Sequence, residues 1–168
     1  MKKLLTLFRR AQKSQSALRL LNFILSWSIP FNWPHGIKIT AVHDDGVSVR
    51  LPYKRKNLNH LKGIHACALA TAAEYTSGIT LLAAIGTDYR LIMKNISVTY
   101  HYQAKLDVVT TLHIRKDVLQ EKILVPLTTD DAVFFENAVE VHDLLANHIC
   151  TAAVQWQIKK WDKVRSKL

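Results

Sequence analysis

Hydrophobic positions along the chain follow two different periods. Between residues 3 and 27, Leu4, Phe8, Ala11, Leu18, Leu21 and Leu25 recur at helical spacing, with the basic residues mostly elsewhere. The spacing predicts one amphipathic helix. Such a stripe either docks on its own domain, the preferred reading, or lies on a membrane surface. Pro30 and Pro34 then stop the helix. Beyond them the period becomes two: Ile37, Ile39 and Ala41, then Asp44-Asp45-Gly46, then Val47, Val49 and Leu51. This predicts a hairpin whose turn can reach positive φ.

Residues 63–85 show neither amphipathic pattern. Ile64, Ala66, Cys67, Ala68, Leu69, Ala70, Ala72, Ala73, Ile79, Leu81 and Leu82 leave almost no polar face, which predicts a buried helix. It would run roughly 30 Å, and its alanines would let a sheet approach closely. Alternation returns over 96–102, 108–114, 135–141 and 150–158, with a break around Pro126. A long buried helix with about six antiparallel strands is an α+β architecture. The expected divisions are a helix and connector over 1–33, the main domain over 34–160, and a basic tail over 161–168.

Composition narrows the partners. The 168 residues suit one domain, and 49% hydrophobic content supports a core. The formal charge of +10 is clustered. Lys2, Lys3, Arg9, Arg10, Lys13 and Arg19 precede any acid. Lys54-Arg55-Lys56 form a second group, and Lys159, Lys160, Lys163, Arg165 and Lys167 a third. This favours an anionic partner, whether nucleic acid, membrane surface or a phosphate-bearing ligand, or it is simply a soluble basic surface. No nucleic-acid-binding motif is present, so nucleic acid is not expected. Arg9 and Arg10 interrupt the first apolar run too early for a signal peptide, and 18–33 is too short and interrupted to span a bilayer. Two cysteines without framework spacing fit a reducing cytoplasm. No phosphate loop or dinucleotide fingerprint occurs, and the eight histidines look scattered, so neither cofactor nor metal is expected.

Glu74 stands out as the only carboxylate between Asp45 and Asp88, placed inside the apolar helix. A carboxylate there is costly unless it is paired or used. It reads either as a general base or nucleophile, or as a structural acid bonded to backbone or a tyrosine. His65 lies nine residues earlier, on the opposite side of a continuous helix, so a site using both is built from two subunits. Were His65 to precede the first turn, its direction would be free; taken alone it reads as a helix-entry residue. Asn59 fits turn chemistry in Asn57-Leu58-Asn59-His60, and Lys62-Gly63 permits a tight helix entry. The backbone N–H groups of Ala66 and Cys67 would stand at the positive helix end, where such donors are worth ~3 kcal/mol each in acyl transfer. The Cys67 thiol is either a small buried filler, the preferred reading, or an alternative nucleophile.

The run Asn59-His60-Leu61-Lys62-Gly63-Ile64-His65-Ala66, followed by Ala73-Glu74, resembles the Asn, His and acid signature of hotdog-fold thioesterases. The likeness is to the phenylacetyl-CoA thioesterase-like branch, and within it to an uncharacterised bacterial group, and covers roughly 36–158. It implies a helix wrapped by an antiparallel sheet, homodimers that join their sheets and can pair into tetramers, and sites between subunits. Glu74 would take the place of the family's acid. Asn59 would orient water or the carbonyl, His65 would hold the thioester, and the N–H groups of Ala66 and Cys67 would polarise it. Lys54, Arg55, Lys56, Lys62, Arg90 and Lys94 are the candidates for CoA phosphates. The substrate would be an acyl-CoA or an acyl-carrier thioester. Ala66 and Cys67 stand where the family often has glycines, Gly63 lies two rather than three residues before the histidine, and Met93 stands where a serine or threonine sometimes assists. These departures sustain an alternative, a non-catalytic module that binds acyl-CoA or lipid.

Overall fold

The computed structural model describes residues 2–164; Arg165 and Lys167 of the expected basic tail lie outside the described residues. The N-terminal segment forms two helices rather than one, α1 (Lys2–Ala11) and α2 (Gln15–Ser28). Ser14 has an extended backbone, and its hydroxyl accepts the Ala17 N–H at 3.3 Å, capping a new helix. The apolar pattern runs through this break because Ala11 and Leu18 are one heptad apart. Both helices bury that stripe: Leu7, Phe8, Ala11, Ala17, Leu18, Leu21 and Leu25 belong to the same core as the rest of the chain. The prolines end α2 as expected, and a 3₁₀ turn (Pro30–His35) closes at Gly36, whose φ of 67° needs no Cβ.

Six strands form one antiparallel sheet in the order β1-β2-β4-β5-β6-β3. They are β1 (Lys38–Val42), β2 (Gly46–Leu51), β3 (Tyr89–Tyr100), β4 (Val108–His113), β5 (Val133–Asp143) and β6 (His148–Lys160). Between β2 and β3 runs α3 (Ala66–Ile85). Two local expectations are corrected. The hairpin turn uses no positive φ at Asp44, Asp45 or Gly46. Gly46 is needed because a Cβ there would overlap the Leu112 carbonyl of β4. β3 also starts seven residues earlier than the alternation suggested, since its register with β6 shifts between Met93 and Asn95 and scrambles the period. Near Pro126 the break is a helical stretch that buries Leu119, Ile123 and Leu127.

The sheet's inner face packs on α3. Val47, Val49 and Leu51 of β2, Val139 of β5 and Ala152, Val154 and Ile158 of β6 are fully buried, as are Ala72, Ala73 and Leu81 of the helix. Each large aliphatic buried here stabilises the fold by about 1.5–3 kcal/mol. α3 is long and apolar enough to cross a membrane, but more than half of it is buried inside this fold. One indole is pinned across the interface: Trp156 Nε1 donates to Ser77 Oγ at 2.7 Å.

The two edges of the sheet differ. α2 covers β1, and the Asn22 amide accepts the Ile39 N–H and donates to the Ile39 carbonyl, both at 2.8 Å. β3 hydrogen-bonds only to β6, and none of its residues is buried. Its other edge, with Ile92 and Met93 exposed, is paired with no strand among the described residues.

Candidate active site

α3 begins at Ala66, so His65 is its N-cap with extended backbone (φ −64°, ψ 139°). His65 therefore precedes the first turn, and its direction is set by the cap rather than by helical periodicity. Nine residues of helix separate Glu74 from His65 by about 13 Å, too far to share one reacting carbon within a chain.

The cap changes the expected pair of oxyanion donors. His65 Nδ1 accepts the Cys67 N–H at 3.1 Å, so that donor is taken. The Ala66 N–H, first in the helix, has no intrahelical acceptor. A neutral imidazole accepting at Nδ1 carries its proton on Nε2, which makes the outer edge of exposed His65 a hydrogen-bond donor. The Tyr100 hydroxyl donates to the Ala66 carbonyl at 3.0 Å, tying the end of β3 to this turn.

Asn59 is occupied by its own loop. Its Oδ1 accepts the N–H groups of Leu61 (2.9 Å) and Gly63 (3.1 Å), which turns the chain toward His65. The positive φ in this turn falls on Lys62 (58°), not on Gly63. Gly63 is instead crowded by the Gln103 side chain. The buried amide of the loop is its neighbour Asn57. Its Oδ1 lies 3.0 Å from His35 Nδ1, its Nδ2 donates to the carbonyls of Pro52 and His35, and its own carbonyl accepts the His65 N–H at 2.7 Å. Asn57 sets where α3 starts. Sequence reasoning passed over it because two asparagines share one turn and nothing in their spacing says which is inside.

Glu74 sits midway along α3, half-buried, with no hydrogen bond or ion pair to its carboxylate among the described residues. Burial pushes its pKa up from the ordinary carboxylate value. The tyrosine beside it, Tyr75, makes no bond to the acid; burial and the Glu74 charge raise its pKa further. Glu74 opens into a cavity of about 370 Å³ whose walls include Gly78 and Leu82 of α3, Leu91 of β3, Trp156 of β6, and Phe31 and Trp161. Among the described residues it is the only ionised-type side chain in that lining, and aromatic rings make up much of the rest. Gly78 is what admits Trp156, since a Cβ would stand 3.0 Å from the indole.

Cys67 is exposed, which corrects the expectation of a buried filler; the buried thiol is Cys150, pushed up to about 11 by desolvation. Two helical turns separate Cys67 from Glu74, so both lie on one open stripe with Ala70, Thr71 and Gly78, where the sheet does not cover α3. Met93 is exposed on β3 at the bulge.

The basic candidates fall into two groups. Lys54, Arg55, Lys56 and Lys62 surround the loop that leads into α3, with the Lys54 amine folded over Gly36. Arg90 and Lys94 lie on β3, which runs antiparallel to α3: its start lines the cavity with Leu82, and its end meets Ala66. Within one chain, Arg90 and the lysine loop are thus at opposite ends of α3.

Three histidines that look scattered in sequence, His101, His142 and His148, meet on the other face of the sheet.

The fold is that of known proteins. A protein of unknown function from Pseudomonas aeruginosa, described as a probable thioesterase, superposes with a TM-score of 0.74 at 16% identity, covering 84% of this chain and 95% of that one. A thioesterase from Haemophilus influenzae gives 0.66 at 12%, covering 89% and 95%. A thioesterase from Staphylococcus aureus gives 0.60 at 14%, covering 77% and 98%. No curated protein matches the chain in sequence. The fold is hotdog, and the profile of the domain of unknown function DUF4442 matches residues 18–158. This chain is therefore a member of the DUF4442 family, built on the hotdog fold.

Proposed function

We propose that this protein is a thioester hydrolase acting on acyl-CoA-like substrates, with Glu74 as its essential acid and its sites shared between two copies of the chain. The observation that carries the reading is Glu74 itself: an unpaired, half-buried carboxylate with a raised pKa, opening into an apolar cavity beside an uncovered strand edge. The thioesterase names of the structural neighbours point the same way.

Two copies joined along β3 in antiparallel fashion also set their α3 helices antiparallel. With the twofold axis near Ala70, the first turn of one helix comes opposite Glu74 of the second copy. Ala70 and Thr71 are small enough for a close crossing. The Ala66 N–H and the Nε2–H of His65 then face the thioester carbonyl from one copy, and Glu74 of the other faces its carbon. The lysine loop of one copy likewise joins Arg90 and Lys94 of the other, assembling a cationic patch for CoA phosphates.

As base, Glu74 takes a proton from water. The water oxygen attacks the carbonyl carbon, the C–S bond breaks, and the thiolate leaves with that proton. As nucleophile, its carboxylate oxygen attacks the carbonyl carbon, the C–S bond breaks with the thiolate leaving, and water then cleaves the mixed anhydride to release the acid and regenerate Glu74. Label in Glu74 after a single turnover in ¹⁸O-water identifies the second case, with water attacking the Glu74 carbonyl of the anhydride.

The deciding experiment is a panel of acyl-CoA esters tested with the wild type and Glu74→Gln. Turnover should fall ~10²- to 10⁴-fold in the variant, with acyl-CoA binding retained. Binding without turnover, indifferent to Glu74, would establish instead the non-catalytic acyl-CoA or lipid module. Ala66 and Cys67, placed where the family often has glycines, keep that second reading in play.

The N-terminal helices suggest a further contact. Leu20, Phe23, Ile24 and Trp27 form an exposed apolar stripe on α2 that continues to Phe31 and Trp33, with Trp27 79% exposed. Arg9 and Arg10 of α1, Lys13 of the turn between the helices and Arg19 of α2 are exposed, with no acid before Asp44. We assign this face to an anionic bilayer surface. Binding to phosphatidylserine vesicles should drop at least tenfold in Phe23→Ser/Trp27→Ser. Loss of the dimer with vesicle binding unchanged would assign the stripe to a second copy.

A further inference from the structure

The sheet carries a second cluster of chemically capable side chains, on its solvent-facing side and independent of Glu74. Glu140 and His142 are two residues apart on β5, so they project from the same face. His148 of β6 stands opposite His142 in the register. His101, just past the end of β3, reaches the same spot, because its N–H bonds the Ile149 carbonyl at 2.9 Å. Three neighbouring strands thus deliver one imidazole each. The His148 ring lies between the other two, 4.4 Å from His101 and 4.9 Å from His142 between centroids.

The ligand atoms of Glu140, His142 and His148 all lie within 4.8 Å of one another. A tetrahedral ion bound at about 2.0–2.1 Å needs its ligands about 3.3 Å apart, so modest side-chain rotations close the site without moving backbone. Two paired strands hold all three residues, at a register shift between Val141 and His142. Thr151 supplies the orienting bond: its hydroxyl lies 2.9 Å from His148 Nε2 and 3.3 Å from His101 Nε2. A hydrogen bond at one ring nitrogen is what aims a metal-ligating imidazole through the other. Imidazoles with a single carboxylate suit borderline first-row divalent ions over Mg²⁺ or Ca²⁺, which prefer all-oxygen sets.

We propose that Glu140, His142 and His148 form a surface site for a divalent transition metal such as Zn²⁺, with His101 as the fourth ligand. Bound there, the ion ties β5, β6 and the end of edge strand β3 together.

The test uses the full chain without any histidine tag, titrated with Co²⁺ followed by absorption, and with Zn²⁺ in competition. One equivalent per chain should bind, with tetrahedral cobalt bands. Affinity should fall at least tenfold in His142→Ala and His148→Ala, and stay unchanged in His60→Ala, which removes an exposed histidine outside the cluster. Zn²⁺ should raise the melting temperature of the wild type but not of His148→Ala. Glu140→Gln preserves side-chain shape, so a weaker site in that variant is not attributable to misfolding, and circular dichroism checks each fold. Equal stoichiometry and affinity in the double variant His142→Ala/His148→Ala, or no binding at micromolar metal, would overturn the assignment.

Discussion

The two edges of the sheet meet the same physical problem in different ways. At β1 the edge is five residues long, α2 lies over it, and Asn22 bonds both the N–H and the carbonyl of Ile39. Gln12 extends the cover by donating to the His43 carbonyl at 3.1 Å. At β3 the edge is twelve residues long, its side chains are all exposed or half-buried, and nothing among the described residues covers it. A long unpaired edge with apolar side chains is a template for another strand. The difference teaches that the N-terminal helices close one side of the molecule, while the described residues leave the side bearing Glu74 uncovered, which is where the proposed function seats a second copy.

The strongest way to break that contrast is at β3. Ser97→Asp/Thr99→Asp, at two exposed positions of β3, places like charges near the twofold axis. The variant should sediment as a monomer and lose thioester hydrolysis at least 100-fold, with an unchanged circular dichroism spectrum. A dimeric, active variant would rule out the β3 edge as the joint.

Next in size is the opposite edge. Asn22→Ala leaves the Ile39 N–H and carbonyl without their partners, which should cost about 1–3 kcal/mol. Its melting temperature should fall by roughly 2–4 °C per kcal/mol, with the dimer and the turnover at low temperature unchanged. A smaller loss in Asn22→Asp, which keeps the acceptor for the Ile39 N–H but not the donor, would sharpen the account. Of similar size is Ser77→Ala, which removes the acceptor of the Trp156 indole and should cost about 1–3 kcal/mol in thermal unfolding.

The smallest effect carries the most information about Glu74. Burial raises its pKa in the folded chain, so across that window the folded state holds more protons than the unfolded one. Stability then falls as pH rises from the ordinary carboxylate range through the folded pKa. Glu74→Gln should melt above the wild type at neutral pH, and the gain should vanish below the ordinary carboxylate range. The same shift should displace the rising limb of wild-type turnover to higher pH. A variant less stable than the wild type at neutral pH would mean that the carboxylate has a partner in the assembled protein.

Much of this was legible in the residues. Alternation over β2, β5 and β6 marks their buried positions directly, because a strand with one face on the core repeats every two residues. The uniform apolarity of α3 announces a helix wrapped by something else. The lone acid within it was conspicuous for the same reason. The start of β3 was hidden, since a strand exposed on both faces with a register shift shows no clean period. Asn57 and Asn59 were indistinguishable, because which amide turns inward depends on His35 and Pro52, remote in the chain.

What the sequence by itself determined is the local order of elements, their buried faces and the isolation of Glu74, all consequences of short-range periodicity and the cost of burying charge. Only the tertiary structure decided the rest. It made His65 a cap that takes up the Cys67 N–H, left the Glu74 carboxylate without a partner among the described residues, and gathered His101, His142 and His148 from separate strands. Those facts depend on strand order and side-chain direction in three dimensions, which residues far apart in the chain settle together.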